Sequence, residues 1–135
     1  MAGTWEDREA IRELIARYCF HFDNGEFEEW IHLFTEDGAF DLGARGRFAG
    51  RSALREFLTV VPLVDGRPPM RHFVTNIILH VADDTATALS YVLVVGAADV
   101  PTVNVAGRYD DRLAKIDGTW RFTERRVYFD LMAVR

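Results

Sequence analysis

Several things are scarce in this chain of 135 residues, and each scarcity removes a class of answer. It has one cysteine, so no internal disulfide can form. That residue, Cys19, falls on the apolar side of a helical repeat, where a thiol packs rather than reacts. No apolar run approaches membrane-spanning length, and the opening Met1-Ala2-Gly3-Thr4-Trp5-Glu6-Asp7 is neither basic nor apolar enough for a secretory leader. No membrane partner is expected, and the cytoplasm is the expected compartment. Basic residues are outnumbered, 16 Lys and Arg against 21 Asp and Glu, and the net charge of −5 argues against a nucleic-acid binder, which needs a basic face. His21, His32 and His80 have no metal-ligand spacing with one another or with Cys19, so no metal site is expected. Gly43 and Gly46 lack the Lys-Ser/Thr that follows a phosphate-binding loop. No repeat, low-complexity segment or interdomain linker interrupts the chain.

What is present is apolar and aromatic. Hydrophobic residues make up 49% of the chain and aromatics 13%, which is too apolar for disorder and points to a core with aromatic walls. The length fits a single domain over residues 1–135 that buries roughly two-thirds of the surface of its unfolded chain.

The first half reads as helical. Thr4 and Asp7 have the spacing of a capping box, and Glu6 and Asp7 suit the positive end of a helix dipole. Ile11, Leu14, Ile15, Tyr18, Cys19 and Phe22 then form one apolar stripe, which Asp23 and the Asn24-Gly25 stop bring to an end. Phe27, Trp30, Ile31 and Phe34 predict a second, shorter helix, closed by a turn at Thr35-Glu36-Asp37-Gly38. A small hairpin is expected over residues 39–48. A third helix follows Gly50, with Leu54, Phe57, Leu58 and Val61 as its apolar face. Residues 62–69 predict a loop, because Pro68 and Pro69 remove backbone donors and restrict their neighbours.

After Met70 the pattern changes to long strands over 71–81, 85–95, 103–115 and 120–131. Asp83-Asp84 and Asp117-Gly118 mark tight turns, the second with the signature of a type I′ hairpin. Helices followed by such an antiparallel meander predict an α+β fold, with three helices packed on one face of a strongly curved, mainly antiparallel sheet. Strict alternation puts His72, Val74, Asn76, Ile78 and His80 on one side of the first long strand. Of the adjacent Arg125 and Arg126, one must point toward the helices. Both sheet faces are largely apolar, which predicts a homodimer or higher homo-oligomer through the face the helices leave open.

The stretch Pro68-Pro69-Met70-Arg71-His72-Phe73-Val74-Thr75-Asn76 places one histidine at a loop-to-strand junction. Two readings apply to it: a half-exposed structural histidine, or a proton-transfer residue served by Asp23 and Tyr18 from the end of the first helix. Asp23 has its own alternative as a turn residue before Asn24-Gly25.

Tyr18-x4-Asp23, Phe34-x2-Asp37-Gly38, Gly50-Arg51, Arg71-His72-Phe73 and Gly118-Thr119-Trp120-Arg121-Phe122, in this order, resemble the SnoaL-like branch of the nuclear transport factor 2-like superfamily. That branch includes polyketide cyclases, scytalone dehydratase, bile-acid dehydratase and a lindane dehydrochlorinase. The resemblance implies a cone-shaped α+β barrel with an apolar pocket between helices and sheet. It also implies a cofactor-independent lyase or isomerase acting on a small hydrophobic cyclic molecule, although many members of the superfamily are not enzymes and a binding or assembly module is the alternative. By the same resemblance His72, Asp23 and Tyr18 would be catalytic, and Arg125, Tyr91, Asn76, Tyr109 and Trp30 would bind substrate. Tyr91 stands where scytalone dehydratase carries a second histidine, a departure from that enzyme's pattern.

Overall fold

The computed structural model describes residues 3–97 and 99–132, so Met1 and Ala2, part of the segment weighed as a leader, lie outside the described residues. Helix α1 spans Trp5–Asp23 and opens with the expected capping box, Thr4 accepting from the Asp7 backbone while the Asp7 side chain accepts from the Thr4 backbone. Its apolar stripe is buried from Ile11 to Phe22. The carboxylate of Asp7 also accepts from Lys115 Nζ and Trp120 Nε1, each at 3.0 Å, and so ties the helix to a hairpin more than one hundred residues on.

Helix α2 is shorter than its periodicity suggests, Phe27–Ile31. Phe34 does not close it but opens strand β1, Phe34–Asp41, and the segment expected as a turn is an irregularity within that strand. The reason is tertiary: Phe34 pairs with Phe122 in parallel, and Gly38 lies so close to the Phe122 carbonyl that a β-carbon would stand 2.8 Å from it. A 3₁₀ turn at Gly43–Arg45 leads to β2, Arg47–Ala49, and then α3, Arg51–Leu58.

Strands β3 (Met70–Ala82), β4 (Thr85–Ala97), β5 (Pro101–Ile116) and β6 (Thr119–Met132) form the expected meander. Asp117 and Gly118 both have positive φ, 52° and 80°, as a type I′ turn requires. The sheet order is β2-β1-β6-β5-β4-β3, with β1 parallel to β6 and the remaining pairs antiparallel. The fold is therefore α+β, three helices on a six-stranded mixed sheet that curls like a cone without closing into a barrel.

Strict alternation along β3 fails at one residue. Asn76 adopts φ 57° where the β3–β4 register shifts, between Thr75 and Ile78. The bulge reverses which side chains face inward: His72 and Val74 before it, Ile77, Leu79 and Val81 after it. Asn76, Ile78 and His80 are consequently exposed, contrary to the face assigned from alternation. The core on the concave side is an aromatic cluster in which Tyr18, Trp30, Phe34, Phe40 and Phe122 pair at ring-centre separations of 5.1–6.3 Å.

Candidate active site

Asp23 and His72 meet. The last residue of α1 faces the start of β3, and its carboxylate holds the histidine twice: Oδ2 accepts from the His72 backbone N–H at 2.8 Å and Oδ1 lies 2.7 Å from Nδ1. Both side chains are nearly buried, 6% and 9% exposed. The approach depends on the loop before β3. Gly25, at φ 74°, passes so close to the Gly66 carbonyl that a β-carbon would stand 2.3 Å from it, which seats residues 62–69 against the end of α1. The carbonyl of Pro69 accepts from Ala97, and this bond registers the start of β3 against the end of β4.

Because a carboxylate only accepts, the Nδ1 that meets Asp23 is the donor of this contact. His72 lines the interior cavity, and Asp23 does not. The cavity measures about 840 Å³, within the usual range for small-molecule sites. Phe22 and Tyr18 stand edge-on to the imidazole at 5.1 and 6.3 Å.

Tyr18 and Tyr109 both line the cavity, with ring centres 5.7 Å apart. Burial pushes both phenols well above their ordinary pKa, so they stay protonated and can donate to an oxygen of a bound molecule. Beneath them lies Arg125, which shows no exposure and is the member of the Arg125-Arg126 pair that faces inward. Its Nε and Nη2 reach Asp111 at 2.8 and 3.0 Å, and its guanidinium carbon lies 3.6 Å from the Tyr109 ring centre and 4.2 Å from that of Tyr18. Burial by itself would lower the pKa of the guanidinium, but the Asp111 carboxylate outweighs it and keeps the arginine charged. Burial pushes the pKa of Cys19 up to about 11, so its thiol stays protonated.

Of the residues expected to bind substrate, the structure brings Tyr109 to the cavity and moves the others away. Arg125 is taken by Asp111 within the protein and does not line the cavity. Trp30, with no exposure, packs against Tyr18, Phe22, Phe34 and Phe40 as core. Tyr91 is 58% exposed because its position in β4 faces the convex side, and Asn76 is turned out by its bulge. Two polar residues that the sequence reading passed over do line the cavity, Asn104 and Arg45. Asn104 is the extra residue of a bulge opposite Val94 and Val95, and its amide fills the space left by Gly96. A glycine across from an unpaired polar residue was the available signal. Arg45 lies in the short 3₁₀ turn and had none. Among the described residues no group of three His, Cys, Asp or Glu side chains could hold a metal ion.

With this geometry in place, the comparisons with known proteins are specific. A family model described as a SnoaL-like domain matches residues 3–126. A single-substitution variant of Rv3472, a protein of unknown function from Mycobacterium tuberculosis, is 36% identical, with 96% of this chain and 75% of that one covered at a TM-score of 0.83. A protein of unknown function with a cystatin-like fold from Nostoc punctiforme is 29% identical, with 96% of each chain covered and a TM-score of 0.86. A scytalone dehydratase candidate from Novosphingobium aromaticivorans is 26% identical, with 96% of this chain and 89% of that one covered and a TM-score of 0.81. No curated protein matches the sequence.

Proposed function

The chain belongs to the SnoaL-like domain family, and from that premise we propose that it is a cofactor-independent lyase or isomerase, dehydratase-like, acting on a small hydrophobic cyclic molecule. The observation that carries the reading is the 2.7 Å contact between His72 Nδ1 and Asp23 Oδ1 at the wall of a large, mainly apolar cavity. His72 Nε2 takes a proton from a carbon next to a carbonyl, and the bonding pair moves into an enolate. Tyr18 donates a hydrogen bond to the enolate oxygen. Asp23 steadies the imidazolium that forms. The enolate then collapses, the bond to a β-hydroxyl breaks, and the imidazolium returns its proton to that leaving group, so the net change is loss of water. Returning the proton to a different carbon gives isomerisation with the same residues.

The test is turnover of cyclic β-hydroxy ketones, followed by mass loss of 18 Da. His72→Ala and Asp23→Asn should each lower it at least ~100-fold while the circular dichroism spectrum is kept. Turnover near the wild-type rate in His72→Ala would sink the reading. A binding or assembly role without catalysis is the second reading, favoured by the apolar row on the convex face that includes Phe73 and Leu131, 52% and 70% exposed. A protein that binds cyclic ketols in the cavity and turns none over would decide for it.

A further inference from the structure

Of the described residues lining the cavity, Arg45 is the one that carries a permanent charge. Its neighbouring cations are matched, Arg47 with Glu124 at 3.2 Å and Arg126 with Asp41 at 3.1 Å. Arg45 is not: among the described residues its contacts are Met132 Sδ, 3.1 Å from Nη2, and the face of the Phe129 ring, 4.5 Å from the guanidinium carbon to the ring centre. The side chain is exposed, and both residues it touches also line the cavity. Neither contact offers it an anion.

The sheet register fixes where this cation stands relative to the dyad. His72 pairs with Val94, Val94 with Val105, and Val105 with Met132, so one row crosses four strands from the histidine to the methionine that Arg45 touches. All four residues line the cavity. Three steps of about 4.8 Å make about 14 Å along the sheet, and its curvature shortens the straight path. Asn104, next to Val105, adds an uncharged polar group at the same end. The cavity thus has a base at one end, a cation at the other and an apolar span between.

We propose that the ligand of this cavity is an elongated organic acid, whose apolar body fills the span, whose carboxylate meets Arg45 and whose reacting carbon lies at His72, roughly 10–14 Å away. The inference rests on the dyad reading only for what happens at His72. Selectivity for an anion is a property of the other end. A guanidinium already stacked on a ring and lacking a counter-ion gives up little on receiving a carboxylate, and its planar fork suits that group.

The experiment is binding without turnover. The carboxylate ω-phenylhexanoate and its uncharged counterpart ω-phenylhexanol, similar in length and body, are titrated into isotope-labelled protein, and affinity and location are read together from amide shifts. The wild type should bind the carboxylate more tightly, with shifts at residues lining the cavity. Arg45→Ala should weaken the carboxylate about fivefold and leave the alcohol within about twofold, and Arg45→Lys should retain most of the preference. Raising the salt concentration should erode carboxylate binding in the wild type and not in Arg45→Ala. Equal weakening of both ligands, an unchanged preference in Arg45→Ala, shifts away from the cavity, or no binding of either ligand would each overturn the proposal. Failure here leaves the His72 turnover test untouched, and failure of that test leaves the Arg45 effect on binding intact.

Discussion

Removing the Asp111 carboxylate would strand a guanidinium among the rings of Tyr18, Tyr109 and Phe122, since Arg125 has no exposure and its Nη1 already lacks a partner. A buried charge left uncompensated costs about 3–5 kcal/mol, whereas replacing both partners by apolar groups of similar volume is often neutral. Asp111→Leu is therefore expected to lower the urea unfolding free energy by about that amount, and Asp111→Leu with Arg125→Met to recover most of it. A single substitution costing under ~1 kcal/mol would mean that the pair is not closed as the structure shows it. Arg125 also illustrates how residue roles are read. The family resemblance implied a substrate-binding arginine there, and alternation correctly demanded that one of Arg125 and Arg126 point inward. Whether an inward arginine serves a ligand or a carboxylate of its own chain depends on Asp111, which the sequence gives no reason to single out. The dyad differs. Both members stand where an element ends or begins, and the family resemblance implied their roles.

At the scale of elements, α1 is held at both ends. Asp23 anchors its C-terminus to β3, and Asp7 anchors its N-terminus to the β5–β6 hairpin through Lys115 and Trp120. The hydrogen bond from Trp120 and then that from Lys115 hold the Asp7 carboxyl well below the usual carboxylate range. A carboxyl whose folded pKa is depressed adds stability that is complete above its unfolded pKa, near 3.9, and lost as pH falls below it toward the folded value. Asp7→Asn should accordingly melt below the wild type at neutral pH, with the gap in Tm narrowing as pH drops through about 4 toward about 2. A gap independent of pH over that range would assign the effect to packing. The cap was readable in Thr4 and Asp7 because it is local. The tie to Trp120 was not, since no pattern within a helix says which hairpin its first turn will meet. Element boundaries failed for the same reason at Phe34, where helical spacing continues but pairing with Phe122 prevails.

At the scale of the whole molecule, the helices cover the concave side of the sheet and leave the convex side open. Phe73, Leu93, Ala106 and Leu131 form one row across four strands there, beside the exposed pair Arg108–Asp130, 3.2 Å apart. A row with both signs of charge beside it is self-complementary under a twofold axis, so a second copy of the chain is the expected occupant. Leu93→Glu should then convert a dimer to a monomer in sedimentation at micromolar concentration while the cavity still binds. A wild type that sediments as a monomer at that concentration would dismiss the expectation.

The sequence by itself determined the class of fold, the capped first helix, the type I′ turn at Asp117-Gly118 and the candidacy of His72 and Asp23, because periodicity, caps and turns depend on neighbours a few residues apart. It could not determine the parallel pairing of β1 with β6, the bulge at Asn76 that turns its own side chain outward, or the carboxylate that claims Arg125. Those depend on partners tens of residues away, and a one-residue shift in register reverses every side chain that follows. Tertiary structure alone decided that the histidine meets its aspartate at the wall of a cavity, and that Arg45, without an anionic partner among the described residues, lines that same cavity.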